Sequence, residues 1–207
     1  IFIMDRDGSD MKRMTYEPGD DLDPSWSPDG EKIVFSSNRG GNYNLYILDV
    51  KTLSVDRLTD APFDDRYPDW SPKDDLILFQ SNRKSSSDLF TVSAKNLVVI
   101  QITRYKATFS SYPAWSPNGL SYVHETVLYD GRTGIAIRNL PSGQNQTVVE
   151  LLNSNLQPAW SPDGTQIVFI SDRDGQMDIY IISKDGKAIF RLTNTPAIES
   201  QVDWTAE

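Results

Sequence analysis

Few residues of this chain could do catalytic chemistry. His124 is the only histidine, so a Ser-His-Asp triad would have to use it. The sequence holds no G-x-S-x-G elbow, no P-loop and no dinucleotide fingerprint. It also lacks cysteine, which excludes disulfides, thiol nucleophiles and Cys-ligated zinc. We therefore expect no catalytic residue and no enzyme activity, and we expect His124 to be a loop or strand-end residue without catalytic duty.

Two acidic turns are the candidates for a metal site. Asp5-Arg6-Asp7-Gly8 and Asp172-Arg173-Asp174-Gly175 place carboxylates two residues apart before a glycine, as calcium loops do. Neither turn is followed by the bidentate glutamate that such loops need. We expect plain hairpin turns and no cofactor, with Ca²⁺ as the alternative.

Acidic, arginine and aromatic residues stand just before three of the tryptophans, Trp26, Trp70 and Trp115. Aromatic and arginine side chains are the usual anchors of protein interfaces, and connecting segments on rigid scaffolds commonly carry binding. A solvated rim is the alternative. The candidate binding residues are Asp21, Asp23, Asp65, Arg66, Tyr67, Phe109 and Tyr112.

The charge of the chain restricts the class of partner. The formal net charge is −9, which disfavours binding to nucleic-acid phosphates and to anionic membrane surfaces. No apolar stretch is long enough for a membrane span. A protein or peptide partner is therefore expected, with no nucleic acid and no direct membrane insertion.

The elements that carry these residues are set by a repeat. The five tryptophans are separated by steps of 44, 45, 45 and 44 residues. A period of about 40–45 residues with short strands is typical of a β-propeller blade. Pro, Gly and Asn punctuate the chain too often for long helices. The sequence therefore predicts an all-β propeller of four-stranded antiparallel blades, with tryptophans that pack between blades: Trp26, Trp70, Trp115, Trp160 and Trp204.

Each repeat contains four strand-like parts. The tryptophan phrase predicts an innermost strand A, which ends in a turn such as Ser27-Pro28-Asp29-Gly30. An apolar run such as Ile33–Phe35 predicts a buried strand B. A strand C such as Asn44–Leu48 follows a polar loop, and Arg57-Leu58-Thr59 predicts an outer strand D. The D-to-A and B-to-C loops should then crowd one face around the mouth of the channel.

Two features modify the pattern. Ser-Asn-Arg or Ser-Asp-Arg follows strand B in three repeats, for example at Ser37-Asn38-Arg39, and predicts turn bonding plus an ion pair between blades. The third repeat is irregular, because a long segment from His124 through Gly134 precedes its strand C and its strand D near Val148 lacks the Arg-Leu-Thr pattern.

The repeat predicts one domain over residues 1–207, with four complete blades at roughly 24–60, 68–104, 113–150 and 158–194. Partial blades at 1–15 and 202–207 supply strands C and D at one end and strand A at the other. Strand B of a shared closing blade would be missing. We therefore interpret the chain as part of a six-bladed propeller, with a five-bladed ring closed by a defective blade as the alternative.

The fourth repeat contains Pro158-Ala159-Trp160-Ser161-Pro162-Asp163-Gly164, followed by Ser171-Asp172-Arg173, then Ile179-Tyr180, then Arg191-Leu192-Thr193. This combination closely resembles the TolB-type WD40-like (PD40) propeller repeat. The resemblance covers essentially the whole chain, although the third repeat departs from it. It implies a non-catalytic scaffold that binds a protein or peptide in the periplasm or outside a bacterial cell. The alternative that it implies is the gating or docking propeller of a prolyl oligopeptidase-like or tricorn-like serine peptidase.

Overall fold

The computed structural model describes residues 1–83, 87–103, 108–128 and 130–204. It contains eighteen strands in the described ranges. In chain order the strands are β1 (Phe2–Ile3), β2 (Lys12–Arg13), β3 (Asp21–Trp26), β4 (Lys32–Ser37), β5 (Asn44–Asp49), β6 (Val55–Arg57), β7 (Asp65–Trp70), β8 (Leu76–Ser81), β9 (Asp88–Ser93), β10 (Val99–Gln101), β11 (Thr108–Trp115), β12 (Ser121–Leu128), β13 (Thr133–Asn139), β14 (Asn145–Asn153), β15 (Asn155–Trp160), β16 (Gln166–Ser171), β17 (Asp178–Ser183) and β18 (Ile189–Arg191).

Sixteen of these strands form four antiparallel sheets, and each sheet is one blade with the order A-B-C-D. Blade 1 is β3–β6, blade 2 is β7–β10, blade 3 is β11–β14 and blade 4 is β15–β18. The A strands of successive blades contact one another, so they lie innermost, and the four blades are arranged in a ring. The predicted propeller fold and the inner position of the tryptophan strands are confirmed.

The hydrophobic core lies between blades. One cluster joins Val34, Leu45 and Leu58 of blade 1 to Trp70 and Phe79 of blade 2. Equivalent clusters join blade 2 to blade 3 and blade 3 to blade 4. Both faces of strands β8 and β12 meet such clusters, which accounts for the unbroken apolar run of β8. The clusters fix the blades relative to one another.

The indole rings follow the same packing. Trp70 and Trp115 are 9% and 7% exposed, and Trp160 packs at the edge of its cluster. Blade 1 is preceded in the chain by the two-stranded sheet β1–β2 rather than by a four-stranded blade, and its Trp26 is 49% exposed. Trp204 is partly buried but is not in a strand, and residues 205–207 of the last partial repeat lie outside the described residues.

The first two strands pair as a C strand and a D strand do. Phe2 pairs with Arg13 in an antiparallel ladder, which is the register of Tyr46 with Arg57 in blade 1.

Strand A begins earlier than the sequence indicated. Every A strand contains a β-bulge two to three residues before its tryptophan; in blade 1 the ladder steps from Leu22–Ser36 directly to Ser25–Val34. The residue before each proline of the phrase takes a positive φ, for example 55° at Asp23 and 52° at Tyr67. Two residues therefore oppose one on strand B, and the strand bends there. The residues expected in D-to-A loops lie instead in the first half of strand A.

Blade 3 is irregular, but its irregular segment is not the loop that was expected. Strand β12 continues from Ser121 to Leu128, and β13 begins at Thr133, so most of the segment from His124 to Gly134 is strand rather than loop. The two longer strands pair without a break from Ser121–Asn139 to Val127–Thr133.

The described residues contain no helix that is long and apolar enough to cross a lipid bilayer.

Candidate functional site

The candidate binding residues lie at one end of the A strands, around the opening of the central channel. We call this opening the channel mouth and define it by Asp23, Tyr43, Arg66, Tyr67 and Tyr112. Asp23, Tyr67 and Tyr112 are the positive-φ bulge residues of blades 1, 2 and 3. Tyr43 comes from the B-to-C loop of blade 1, just before β5. Three blades therefore contribute to one surface.

Asp21 and Asp65 are not displayed at this surface. Both oxygens of Asp65 accept hydrogen bonds from the guanidinium of Arg83 at 2.8 Å, and the Asp65 side chain is 0% exposed. Asp21 pairs with Arg39 in the same way, at 2.8 and 2.9 Å. These carboxylates are already engaged inside the blade, and the surface available to a partner consists of the mouth residues.

The ion pairs belong to the Ser-Asn-Arg motif. The Nε of Arg39 donates to Ser37 Oγ, and its guanidinium lies 5.3 and 5.0 Å from the ring centres of Phe35 and Tyr46. Blade 2 repeats this arrangement with Arg83, and blade 4 repeats it with Arg173 and the amide of Asn155. The motif is structural, as expected. The expectation of an ion pair between blades is wrong, because acid and arginine both belong to the same blade.

Arg66 is the centre of the channel mouth. Its guanidinium carbon lies 4.5 Å from the ring centre of Tyr43 and 4.7 Å from that of Tyr67. One of its nitrogens donates to Asp23 Oδ2 at 3.3 Å. The Arg66 side chain is 28% exposed. Two tyrosine rings therefore hold a cation in a fixed position that solvent still reaches.

Tyr67 and Tyr112 form an aromatic pair beside Arg66. Their ring centres are 4.0 Å apart, and the hydroxyl of Tyr112 donates to that of Tyr67 at 2.9 Å. Burial raises the pKa of Tyr67, and the hydrogen bond with Tyr112 adds to the rise. The Tyr67 hydroxyl thus remains protonated at physiological pH. Phe109, the other aromatic candidate, is half-buried in β11.

The mouth opens into a cavity of about 560 Å³ along the inner strands. The bulge residues Tyr67 and Tyr112 line it, together with Pro68, Asp69 and Gln157. The cavity walls are thus built from the A strands, whose backbones are fixed by the blade ladders. A ligand of the size of a few amino-acid residues fits such a volume.

Asp69 lies in the wall of this cavity and joins three blades. Its carboxylate accepts a hydrogen bond from Ser25 Oγ of blade 1 at 3.1 Å and from the backbone N–H of Trp115 of blade 3 at 2.6 Å. Desolvation raises the pKa of Asp69 to about 6, although these hydrogen bonds oppose the rise. Asp203 lies near enough to contribute a further, smaller increase.

Glu125 makes a similar bridge from blade 3 to blade 4. It is 2% exposed, and its two oxygens accept from Ser111 Oγ and from the backbone N–H of Gln157, each at 2.7 Å. Burial raises the pKa of Glu125 to about 7. Gln157 in turn accepts from the backbone N–H of Gln201 through its side-chain oxygen, at 2.7 Å. Carboxylate and amide groups thus connect the inner strands around the cavity.

His124 lies in the middle of β12 and is 1% exposed. Its Nδ1 is 2.8 Å from the backbone oxygen of Glu125. Burial lowers the pKa of His124 to about 4, so the ring is neutral at physiological pH. The expected loop or strand-end position is therefore wrong, because the long β12 carries this residue into the interior.

Three of the four carboxylates in the two acidic turns accept hydrogen bonds from the protein itself. Asp7 Oδ1 accepts from the backbone and the hydroxyl of Ser9, at 2.9 and 2.6 Å. Asp172 accepts from the backbone of Ser154, and Asp174 accepts from the hydroxyl of Tyr180. Within the described ranges, no three acidic or histidine side chains come together as metal ligands would.

Sequence reasoning missed Tyr43, Asp69 and Glu125. Tyr43 could have been found, because the B-to-C loops were expected on the same face. Asp69 stands in the tryptophan phrase where Ser25 and Ala114 stand in the neighbouring repeats, and such a departure is a detectable signal. Glu125 is an acid at the position of Ser36, inside a B strand, and is detectable for the same reason.

Comparison with known proteins supports this architecture. The Tol-Pal system protein TolB of Alcanivorax borkumensis is 36% identical over 63 residues, which are 30% of this chain and 14% of that protein. The crystal structure of TolB from Acinetobacter baumannii superposes with a TM-score of 0.78 at 23% identity, over 89% of this chain and 46% of that one. A putative TolB from Agrobacterium tumefaciens gives a TM-score of 0.79 at 24% identity, over 89% and 66% of the two chains.

The two structural likenesses show the fold alone, and the chain spans less than half the length of the Acinetobacter TolB. The family model of the TolB beta propeller domain (PD40) matches residues 100–207, which is more than half of the chain. With the blades, the tryptophan phrases and the ring of inner strands already described, this match identifies the chain as a member of the TolB β-propeller family.

Proposed function

We propose that this chain is a non-catalytic propeller scaffold that binds a protein or peptide partner through the channel mouth. The observation that carries the proposal is the assembly of Tyr43, Arg66, Tyr67 and Tyr112 from three blades at the opening of one cavity. Tyrosine and arginine are the residue types that dominate binding energy in protein interfaces. Their positions are fixed by mutual contacts before a partner arrives, which lowers the entropic cost of binding.

The location that we propose is the periplasm or the outside of a bacterial cell. Membership of the TolB family supports it, and the name of the Alcanivorax relative places that protein in a Tol-Pal system. The peptidase-propeller alternative stays a prediction from the sequence. Among the described residues, we find no contact that favours it over the binding of a partner.

Site-specific photo-crosslinking tests the proposal. A benzophenone amino acid replaces Tyr112 at the mouth, and in a matched control it replaces Pro162, which is exposed in the A-to-B turn at the opposite end of the strands. Both variants are expressed in the periplasm of a bacterium with an intact Tol-Pal system and irradiated. We expect discrete protein adducts from position 112 and none from position 162. The same adducts from both positions, or no adduct from position 112, would contradict the proposal.

A further inference from the structure

The hydrogen-bonding groups at the channel mouth are unbalanced, with more donors than acceptors. A guanidinium has five N–H groups. Among the described residues, those of Arg66 make a single hydrogen bond, the one to Asp23. The Nε of Arg66 is buried and has no acceptor there. The N–H groups of the two terminal nitrogens that do not bond to Asp23 are therefore available to an acceptor that comes from outside.

The tyrosine pair adds another donor. The hydroxyl of Tyr112 donates the one hydrogen bond that the two hydroxyls share, so the O–H of Tyr67 remains unused. The raised pKa of Tyr67 keeps that proton in place. This O–H lies beside Arg66, because the ring of Tyr67 stacks on the guanidinium at 4.7 Å.

The nearby acidic groups already accept hydrogen bonds from the protein. Asp20 Oδ2 accepts from Asn38 Nδ2 at 3.2 Å and from the hydroxyl of Tyr43 at 3.3 Å. Asp23 holds Arg66 through one contact at 3.3 Å, which is long for a charge-assisted hydrogen bond. The acids thus fix Tyr43 and Arg66 without saturating the guanidinium.

We infer that the partner of the channel mouth places a carboxylate against Arg66. A carboxylate offers two oxygens in one plane and matches a guanidinium edge, and it also accepts from a phenol. The carboxylate comes either from an acidic side chain or from a chain terminus, and both fit a cavity of about 560 Å³. The net charge of −9 opposes a strongly acidic partner, so the inference concerns one carboxylate on an otherwise neutral or basic segment. The inference rests on the proposed function and names the chemistry that is recognised there.

The test uses three acetylated peptides with isotope-labelled protein. N-acetyl-triglycine has a terminal carboxylate, its C-terminal amide has none, and amidated N-acetyl-Gly-Asp-Gly has only a side-chain carboxylate. Chemical shifts of the Arg66 Nε–H and the Tyr67 amide are followed by NMR during titration. We expect saturable shifts with at least one carboxylate peptide and none with the amide, and the responding peptide identifies the source. Equal shifts with the amide, or none with either carboxylate, would overturn the inference.

Variants separate charge recognition from folding. Arg66→Gln should weaken binding of the responding peptide by at least about tenfold, a typical effect of losing a charged hydrogen bond, whereas Lys73→Gln, an exposed cation in the turn at the opposite end of the strands, should leave it unchanged. Arg66→Lys retains the positive charge. Its comparison with Arg66→Gln therefore separates the loss of charge from the loss of packing against the two tyrosines.

The photo-crosslinked partner distinguishes this inference from the proposed function. If the partner binds Arg66→Gln as tightly as the wild type but fails to bind Tyr67→Ala, the carboxylate inference fails and the proposed function stands. If neither substitution affects the partner, the proposed function fails as well.

Discussion

Glu125 makes the stability of the propeller depend on pH in a direction that is unusual for a carboxylate. Its pKa is raised from 4.5 to about 7 because it is buried, so the folded state keeps a proton that the unfolded state has released. This contribution to the stability of the folded state is fully present below the unfolded pKa. It is lost as the pH rises through the folded pKa. At 1.36 kcal/mol for each pKa unit, the loss is about 3 kcal/mol between pH 4.5 and pH 8.

Glu125→Gln isolates this contribution. The glutamine oxygen can accept from the N–H of Gln157 in blade 4, and its NH₂ can donate to Ser111 Oγ in its own blade, so both hydrogen bonds are retained. We expect the free energy of unfolding to be higher by less than about 1 kcal/mol at pH 5 and by up to about 3 kcal/mol at pH 8. Urea denaturation followed by tryptophan fluorescence at the two pH values measures it.

The control for this experiment is Glu31→Gln, which makes the same chemical change on an exposed residue. It should alter the free energy of unfolding by the same small amount at both pH values. The reasoning is refuted if Glu125→Gln stabilises the protein equally at pH 5 and pH 8, or if it destabilises the protein at pH 8.

Further predictions concern the other engaged carboxylates. Asp65→Ala should destabilise the fold by about 3–5 kcal/mol, since it leaves Arg83 buried without its acid. Asp65→Asn should cost clearly less, because Asn155 holds Arg173 at the same position of blade 4; equal losses for the two variants in thermal denaturation would show that an amide cannot hold Arg83 and would contradict this expectation. Asp69→Asn should raise the free energy of unfolding at pH 8 by about 1–2 kcal/mol and by roughly half as much at pH 5, since pH 5 lies between the unfolded pKa and the raised folded pKa of Asp69, and contact with water in the channel partly offsets the effect. An unchanged or lower stability at pH 8 would indicate that the Asp69 carboxylate is needed in its charged form.

The fold was predictable because its signal repeats. Trp70 and Trp115 occupy the same place in successive blades, and each apolar B strand lies between two sheets. A sequence pattern that recurs in every repeat indicates a structural environment that all blades share. The sequence therefore predicted the strand order and the inner strand correctly.

The start of strand A was harder to predict because the bulge breaks the alternation of the strand. Asp23 and Tyr67 precede prolines, and this sequence context indicates a loop. In the structure both residues have positive φ. The ladder nevertheless continues on both sides of the bulge. The same geometry turns Tyr67 and Tyr112 toward the cavity, and their contact requires two blades that the sequence alone cannot bring together.

Blade 3 shows why a local departure is difficult to interpret. His124 and Ala136 face each other where Phe35 and Tyr46 pair in blade 1, and Leu128 stands at the position of Arg39. The arginine, the aromatic rings and the acid have thus been lost together. Each residue looks irregular alone, and only the strand register shows that they form one set.

The most direct test of partner binding at the channel mouth is the affinity of the crosslinked partner for a Tyr67→Ala/Tyr112→Ala variant, measured by calorimetry beside the wild type. Both side chains are held by each other rather than by the core, so the blades should stay folded. We expect a loss of affinity of at least about 30-fold, the effect of removing one interface hot spot. An affinity within about twofold of the wild type, in a variant with an unchanged melting temperature, would contradict the account.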